Sequence, residues 1–137
     1  MPGGMFGRRF GRTLGALDGI FAFVAEFLAA RGLPPSAALE LDLVIEELFT
    51  NMVKYSPEGG REIEIQLERS GPVITAVLRD FDVEPFDVTR APEVDITRPL
   101  EERRSGGLGL HLVRQIAESL RYDYRDRTST ITVTMRP

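Results

Sequence analysis

Polar residues interrupt one edge of an apolar segment that runs from residue 39 to residue 55. At about 100° per residue of an α-helix, Glu47 and Asn51 lie one above the other, whereas Glu46 points away from Asn51. A carboxylate at the rim of an apolar face can act as a general base, and an amide oxygen one turn away is a hard ligand that suits Mg²⁺. Lys54, one further turn along, could reach a phosphate group. A solvated helix face is the alternative interpretation of the same residues.

Three glycines within four residues, Gly106, Gly107 and Gly109, stand directly before an amphipathic segment. Glycine lets backbone N–H groups approach an anion closely, and a helix N-terminus carries partial positive charge, so this segment could cradle phosphate groups. It is neither a Rossmann G-x-G-x-x-G turn within a βαβ unit nor a P-loop, since no Gly-Lys-Ser/Thr follows. The alternative interpretation is a flexible hinge before a helix.

An acidic segment, residues 80–87, follows directly on a predicted strand. A carboxylate at the end of a strand, such as Asp80, can accept a hydrogen bond from an exocyclic amine like that of adenine. The alternative interpretation is an acidic surface loop.

The surrounding pattern predicts the elements that position these three segments. Apolar residues at helical spacing indicate three helices, and alternation of apolar and polar residues indicates strands. We expect Ser36 to cap the second helix and Gly32 to end the first. The predicted helices span residues 16–31, 36–55 and 108–120, and the predicted strands span residues 6–14, 62–68, 73–79, 122–125 and 130–135. This order predicts an α+β fold, a two-layer sandwich with a mixed, mostly antiparallel sheet covered by helices on one face.

Composition limits the class of protein. The chain has 137 residues, which is enough for a single domain over residues 1–137. A net charge of −4 argues against a nucleic-acid binder. There is no cysteine, which fits a reducing cytosol. No segment has the roughly 18 uncharged apolar residues of a membrane span. We therefore expect a cytoplasmic protein without nucleic-acid or membrane partners.

Taken together, the three segments resemble the boxes of the GHKL (Bergerat-fold) ATPases in order and spacing. The chain has Glu47-Leu-Phe-Thr-Asn51 for the N-box, Asp80-Phe-Asp82 for the D-x-G box and Gly106-Gly-Leu-Gly-Leu110 for the second glycine box. The half that contains Pro85-Phe86-Asp87 and residues 99–113 resembles specifically the anti-sigma serine kinases. This resemblance extends over about residues 15–136 and implies an ATP lid at about residues 87–107.

The resemblance implies ATP and Mg²⁺ as cofactors. It makes Glu47 the catalytic base, Asn51 the Mg²⁺ ligand and Asp80 the adenine-binding carboxylate. The other nucleotide-binding positions that it implies are Lys54, Tyr55, Asp82, Phe86, Gly106, Gly107, Leu108, Gly109, Leu110 and Thr130.

The function that the resemblance implies is phosphorylation of a STAS-type anti-anti-sigma protein on serine, together with binding of a sigma factor. The protein could also form a homodimer. One departure leaves an alternative open: Asp82 replaces the glycine of D-x-G, so the domain could be a binding module without nucleotide affinity. A detached histidine-kinase catalytic domain is a third candidate, with His111 as the sole histidine. A complete histidine kinase is not expected, because no phosphoacceptor helix pair precedes the domain.

Overall fold

A computed structural model describes residues 6–55, 60–87, 89 and 107–137. The chain forms five strands and three α-helices within these residues. In chain order they are β1 (Phe6–Gly11), α1 (Leu17–Ala30), α2 (Ala38–Tyr55), β2 (Glu62–Ser70), β3 (Val73–Phe81), α3 (Gly107–Ile116), β4 (Ala117–Arg125) and β5 (Thr128–Met135). Short 3₁₀ turns at Leu14–Ala16 and Pro35–Ala37 precede α1 and α2.

The strands form one sheet in the order β1-β2-β3-β5-β4. The α+β class is confirmed. All four strand pairings are antiparallel, so the prediction of a mixed sheet is wrong for the described strands. Hairpins join β2 to β3 and β4 to β5, and such short connections produce antiparallel neighbours.

One face of the sheet carries the core. Alternate residues of β2 and β5 are buried, including Ile63, Ile65, Ile131 and Val133, because successive side chains of a strand point to opposite faces. The helices cover this face, with α1 against β1, α2 against β3 and α3 against β4. The predicted two-layer arrangement with helices on one face is therefore confirmed.

The two long helices follow their apolar stripes. The buried residues of α2 include all six predicted positions, which are Leu41, Val44, Ile45, Leu48, Phe49 and Met52. Gly32 ends α1 with a φ of 68°, and Leu33 N–H donates to Leu28 C=O at 2.8 Å in the pattern of a Schellman motif. Ser36 is not the predicted N-cap of α2, because it lies inside the 3₁₀ turn that precedes this helix.

The third helix is shorter than predicted. It ends at Ile116, and residues 117–120, expected to be helical, are the first residues of β4. There they pair with β5, where Leu120 lies opposite Val133 and Ala117 opposite Met135. Strand pairing and burial against β5 thus outweigh the local helical pattern.

Candidate functional site

Helix α2 presents Glu47 and Asn51 as a hydrogen-bonded pair. Asn51 Nδ2 donates to Glu47 Oε1 at 3.2 Å, as the four-residue spacing predicts. Asn51 is only 2% exposed, whereas Glu46 is exposed on the far side of the helix. The two residues expected to act together are therefore in contact, and their catalytic and metal-binding roles stay predictions.

The first turn of α3 packs directly on the carboxylate of Glu47. A Cβ placed on Gly109 would overlap the carboxylate of Glu47 as it is placed here, so glycine allows the two to approach without moving that side chain. The backbone of Gly107 and Leu108 belongs to the same turn. Leu110, expected to contact nucleotide, is instead buried in the hydrophobic core, where it anchors α3.

The environment of Glu47 changes its acidity. Burial raises the pKa of Glu47 above its ordinary value, the hydrogen bond from Asn51 opposes this rise, Glu46 adds to it and Lys54 again opposes it. A carboxylate with a raised pKa holds a proton more readily, which is the property required of a general base.

Asp80 is almost completely enclosed, with 1% of its surface exposed. Its Oδ1 accepts a hydrogen bond from Nη2 of Arg12, which lies 68 residues earlier in the chain. The same guanidinium donates to Gly60 C=O and Met52 C=O, both at 2.9 Å. Sequence reasoning missed Arg12, because no local motif marks it.

The structure does not bring Thr130 to this site. Thr130 pairs with Arg79 and lies on the open face of the sheet, while Ser129 is the β5 residue opposite Asp80 on the helix-covered face. The alternation of β5 could have shown this, since Ile131, Val133 and Met135 occupy the covered face and Ser129 continues their series.

Asp82 adopts the backbone conformation that a D-x-G glycine would supply, with a φ of 57°. Its side chain is 74% exposed and accepts a hydrogen bond from Nε of Arg127 at 2.9 Å. Val83 N–H also donates to Arg127 C=O at 3.0 Å, and Tyr124 Oη donates to Val83 C=O at 2.7 Å. Contacts from β4 and from the turn between β4 and β5 thus fix the segment that follows Asp80. The Asp82 carboxylate faces solvent, where it pairs with Arg127.

Lys54, Tyr55 and Phe86 form a stack at the end of α2. The Tyr55 and Phe86 rings lie 5.4 Å apart with 24° between their planes, and Lys54 Nζ lies 5.3 Å from the centre of the Tyr55 ring. Lys54 also lowers the pKa of Glu47, which places its charge near the pair on α2. Gly106 and most of the predicted lid lie outside the described residues.

The family model for the histidine kinase-like ATPase domain matches residues 10–136. The chain belongs to this family. The match includes Arg12, Glu47, Asn51, Asp80 and Gly109, and it confirms the family that the sequence boxes resemble. No curated protein matches the chain in sequence.

Two solved structures have a similar fold. One contains the RsbU and RsbW domains of Rv1364c from Mycobacterium tuberculosis, with a TM-score of 0.65 and 18% sequence identity. The match covers 98% of this chain and 33% of the other, so this chain spans about a third of the length of that chain. The other is the SiaB–SiaC complex from Pseudomonas aeruginosa, with a TM-score of 0.57, 15% identity and coverage of 94% of this chain and 88% of the other. At these identities the likeness shows the fold alone.

One end of the site is where the sequence predicts that nucleotide phosphates bind. Glycine backbone at the start of α3 meets Glu47 there, and Asn51 offers a hard oxygen of the kind that Mg²⁺ prefers. Among the described residues, no group of three or more His, Cys, Asp or Glu side chains is placed to hold a metal ion. Mg²⁺ commonly binds through one or two protein ligands together with substrate phosphates and water.

The other end of the site is more enclosed. A carboxylate accepts about four hydrogen bonds, so the contact of Arg12 with Asp80 Oδ1 leaves capacity for a base amine. Because Asp80 is enclosed, a base reaches it only after neighbouring residues move.

Among the described helices, none is long and apolar enough to cross a membrane.

Proposed function

We propose that this protein is an ATP-dependent serine/threonine kinase of the anti-sigma type, built as one domain over residues 1–137. The observation that carries the proposal is the Glu47–Asn51 pair, held against the glycine backbone at the first turn of α3. Such a site has the base, the metal ligand and the phosphate-binding backbone that phosphoryl transfer requires, since this reaction depends mainly on positioning and charge neutralisation.

Each residue has a separate role in this proposal. Glu47 accepts the proton of the substrate serine hydroxyl. The serine oxygen bonds to the γ-phosphorus of ATP, and the bond between the γ-phosphorus and the bridging β-phosphate oxygen breaks, which releases ADP. Asn51 would hold a Mg²⁺ ion, which would supply positive charge to the phosphates. Backbone N–H groups of the α3 first turn hold phosphate oxygens, and Asp80 accepts from the adenine amine. The remaining proposed contacts with the nucleotide come from the stack at the end of α2, which consists of Lys54, Tyr55 and Phe86.

The partners belong to the same proposal. We expect a STAS-type anti-anti-sigma protein as the phosphorylated substrate and a sigma factor as the sequestered partner. The structure of SiaB with SiaC and the joined RsbU and RsbW domains support a role in a protein assembly. A sigma-factor regulator acts in the cytoplasm, and the excess of acidic residues fits a protein that does not bind nucleic acid directly. A homodimer is compatible with this role.

A second candidate is a regulatory binding module without nucleotide affinity. The enclosure of Asp80 with Arg12 favours it, because the carboxylate that would read adenine already has a partner. In this case the scaffold would bind its protein partners without ATP.

Calorimetric titration of the protein with ATP in the presence and absence of Mg²⁺ separates these two functions. The kinase predicts saturable, Mg²⁺-dependent binding, followed by transfer of labelled γ-phosphate to a serine in a panel of purified STAS-type proteins. Absence of ATP binding would exclude the kinase and support the binding module. Binding without transfer to any STAS-type protein would leave an ATP-binding domain and contradict the proposed substrate class.

A further inference from the structure

Arg12 connects three parts of the fold at the base end of the candidate site. Its side chain is 7% exposed, and each of its three guanidinium nitrogens donates a hydrogen bond. Nε contacts Gly60 C=O before β2, Nη1 contacts Met52 C=O on α2, and Nη2 contacts Asp80 on β3. A planar guanidinium bonded in three directions has little freedom to turn.

Two of these contacts hold Arg12 independently of Asp80. Met52 is one of the last four residues of α2, whose carbonyls have no partner within the helix, and a cation is favourable at that end. Gly60 is itself fixed, because its N–H donates to Phe81 C=O at 2.8 Å and a Cβ at this position would lie 2.9 Å from the same oxygen. Arg12 is therefore held beside Asp80 by the backbone.

Asp80 depends on this charge. Its neighbours across the sheet are Ile63 on β2 and Ser129 on β5, neither of which titrates. A carboxylate enclosed without a counter-charge takes up a proton or becomes costly to bury. Of the described contacts of Asp80, the one with Arg12 supplies the positive charge that keeps the carboxylate ionised and fixes which way it faces.

We propose that Arg12 is a positioning residue for nucleobase recognition. It holds Asp80 ionised and at a fixed distance from the Asn51 end of α2, so that the carboxylate can accept from the 6-amino group of a purine. This inference rests on the proposed nucleotide binding. It adds a residue outside the three sequence boxes and makes base selectivity depend on the segment that follows β1.

The test compares Mg·ATP with Mg·ITP, which carries the same phosphates but lacks the 6-amino group. Calorimetry on the wild-type protein should give tighter binding of ATP by about ten- to a hundredfold, the value of one hydrogen bond to a charged acceptor.

Arg12→Met should reduce the ATP-to-ITP ratio to within about twofold, because Asp80 then lacks the charge and the hydrogen bond that fix its orientation toward the base. Arg12→Lys keeps the charge but cannot reach all three acceptors, so an intermediate ATP-to-ITP ratio is expected. If the Arg12→Met variant does not fold, Arg12→Lys provides the test in its place. Arg8→Met is the matched control, since it removes a nearby arginine of β1 whose pair with Glu26 is exposed, and it should leave the ratio unchanged.

Three results would overturn the inference. A folded Arg12→Met variant with the wild-type ATP-to-ITP ratio would make Arg12 purely structural. Tighter ATP binding by this variant would show that Arg12 competes with the base for Asp80. Equal wild-type affinity for both nucleotides would show that Asp80 does not read the base, although nucleotide binding would stand. If the wild type binds neither nucleotide, the proposed function itself is wrong.

Discussion

Glu47 is the residue on which the proposed chemistry depends most directly. Glu47→Gln keeps the shape of the side chain but cannot accept a proton at neutral pH, so we expect phosphoryl transfer to fall by about 100- to 10,000-fold while folding and ATP binding persist. Asn51→Ala should instead weaken Mg²⁺-dependent ATP binding. Transfer of labelled phosphate and calorimetry measure the two effects.

Glu46→Gln is the matched control for Glu47, because Glu46 is adjacent in sequence but exposed, and it is turned about 100° around α2 from Glu47. It should retain transfer close to the wild-type rate. Loss of transfer in Glu46→Gln with retention in Glu47→Gln would show that the base has been assigned to the wrong carboxylate. Under the binding-module alternative, none of the three changes should affect partner binding much.

Asp82 provides a second prediction at the residue scale. A positive φ costs a non-glycine residue about 1 kcal/mol, and its exposed pair with Arg127 offsets little of this cost. Asp82→Gly should therefore raise the free energy of unfolding by about 1 kcal/mol, measured by denaturant titration. Asp82→Ala is the control that also loses the pair but keeps a positive φ, which alanine tolerates less well than aspartate, so it should not stabilise the protein. A less stable glycine variant would contradict this account.

At the scale of elements, the contact between α2 and α3 decides whether the site forms. Gly109→Ala would place a methyl group on the Glu47 carboxylate, so either that side chain leaves its contact with Asn51 or α3 shifts away from α2. We expect a loss of stability of about 1–3 kcal/mol, the usual cost of overpacking, together with weaker ATP binding. Thermal unfolding and calorimetry report these changes.

Gly19→Ala is the matched control for the change at Gly109. Gly19 lies within α1, and an added Cβ would meet only Cε1 of Phe10 at 3.9 Å, an ordinary contact distance. Alanine there should stabilise the helix by about 0.5–1 kcal/mol. If both alanine variants stabilise the protein equally, Gly109 is not needed for the approach of α3 to Glu47.

Periodicity predicts an element well where local pattern and tertiary environment agree. The stripe of α2 and the alternation of β2 gave their positions within a few residues, because each buries one regular face. Residues 117–120 also fit a helical pattern, but they pair with β5, and this pairing is not visible locally. Thr130 was assigned to the site by resemblance, although the alternation of β5 already placed Ser129 on the core face.

At the scale of the whole molecule, the site depends on contacts between distant segments. Arg12 meets Asp80 across 68 positions and Met52 across 40, so no window of the sequence contains this arrangement. The resemblance could indicate Glu47, Asn51 and Asp80 because their boxes are local. It could not indicate Arg12, which joins the end of β1 to Asp80 and to Met52 just after the N-box, since only the folded sheet brings it there.

The pH dependence of folding is also a property of the whole molecule, and Asp42 on α2 should contribute to it. Burial raises the pKa of Asp42 to about 6, and repulsion from Glu46 adds to the rise. Within the described residues, its Oδ1 is buried without a hydrogen-bond partner. The folded state therefore holds the Asp42 proton more tightly than the unfolded chain, whose aspartate pKa is about 3.9.

The sign follows from linkage between protonation and folding. Below about pH 4 the carboxyl is protonated in both states and costs nothing, whereas above about pH 6 the folded protein must hold an ionised, partly buried group. Asp42→Asn should therefore raise the melting temperature at neutral pH, and this gain should vanish as the pH falls toward about 4. Asp18→Asn, at an exposed position in the first turn of α1, is the control and should show no such gain. A lower melting temperature of Asp42→Asn at neutral pH would mean that the folded protein stabilises the ionised carboxylate instead.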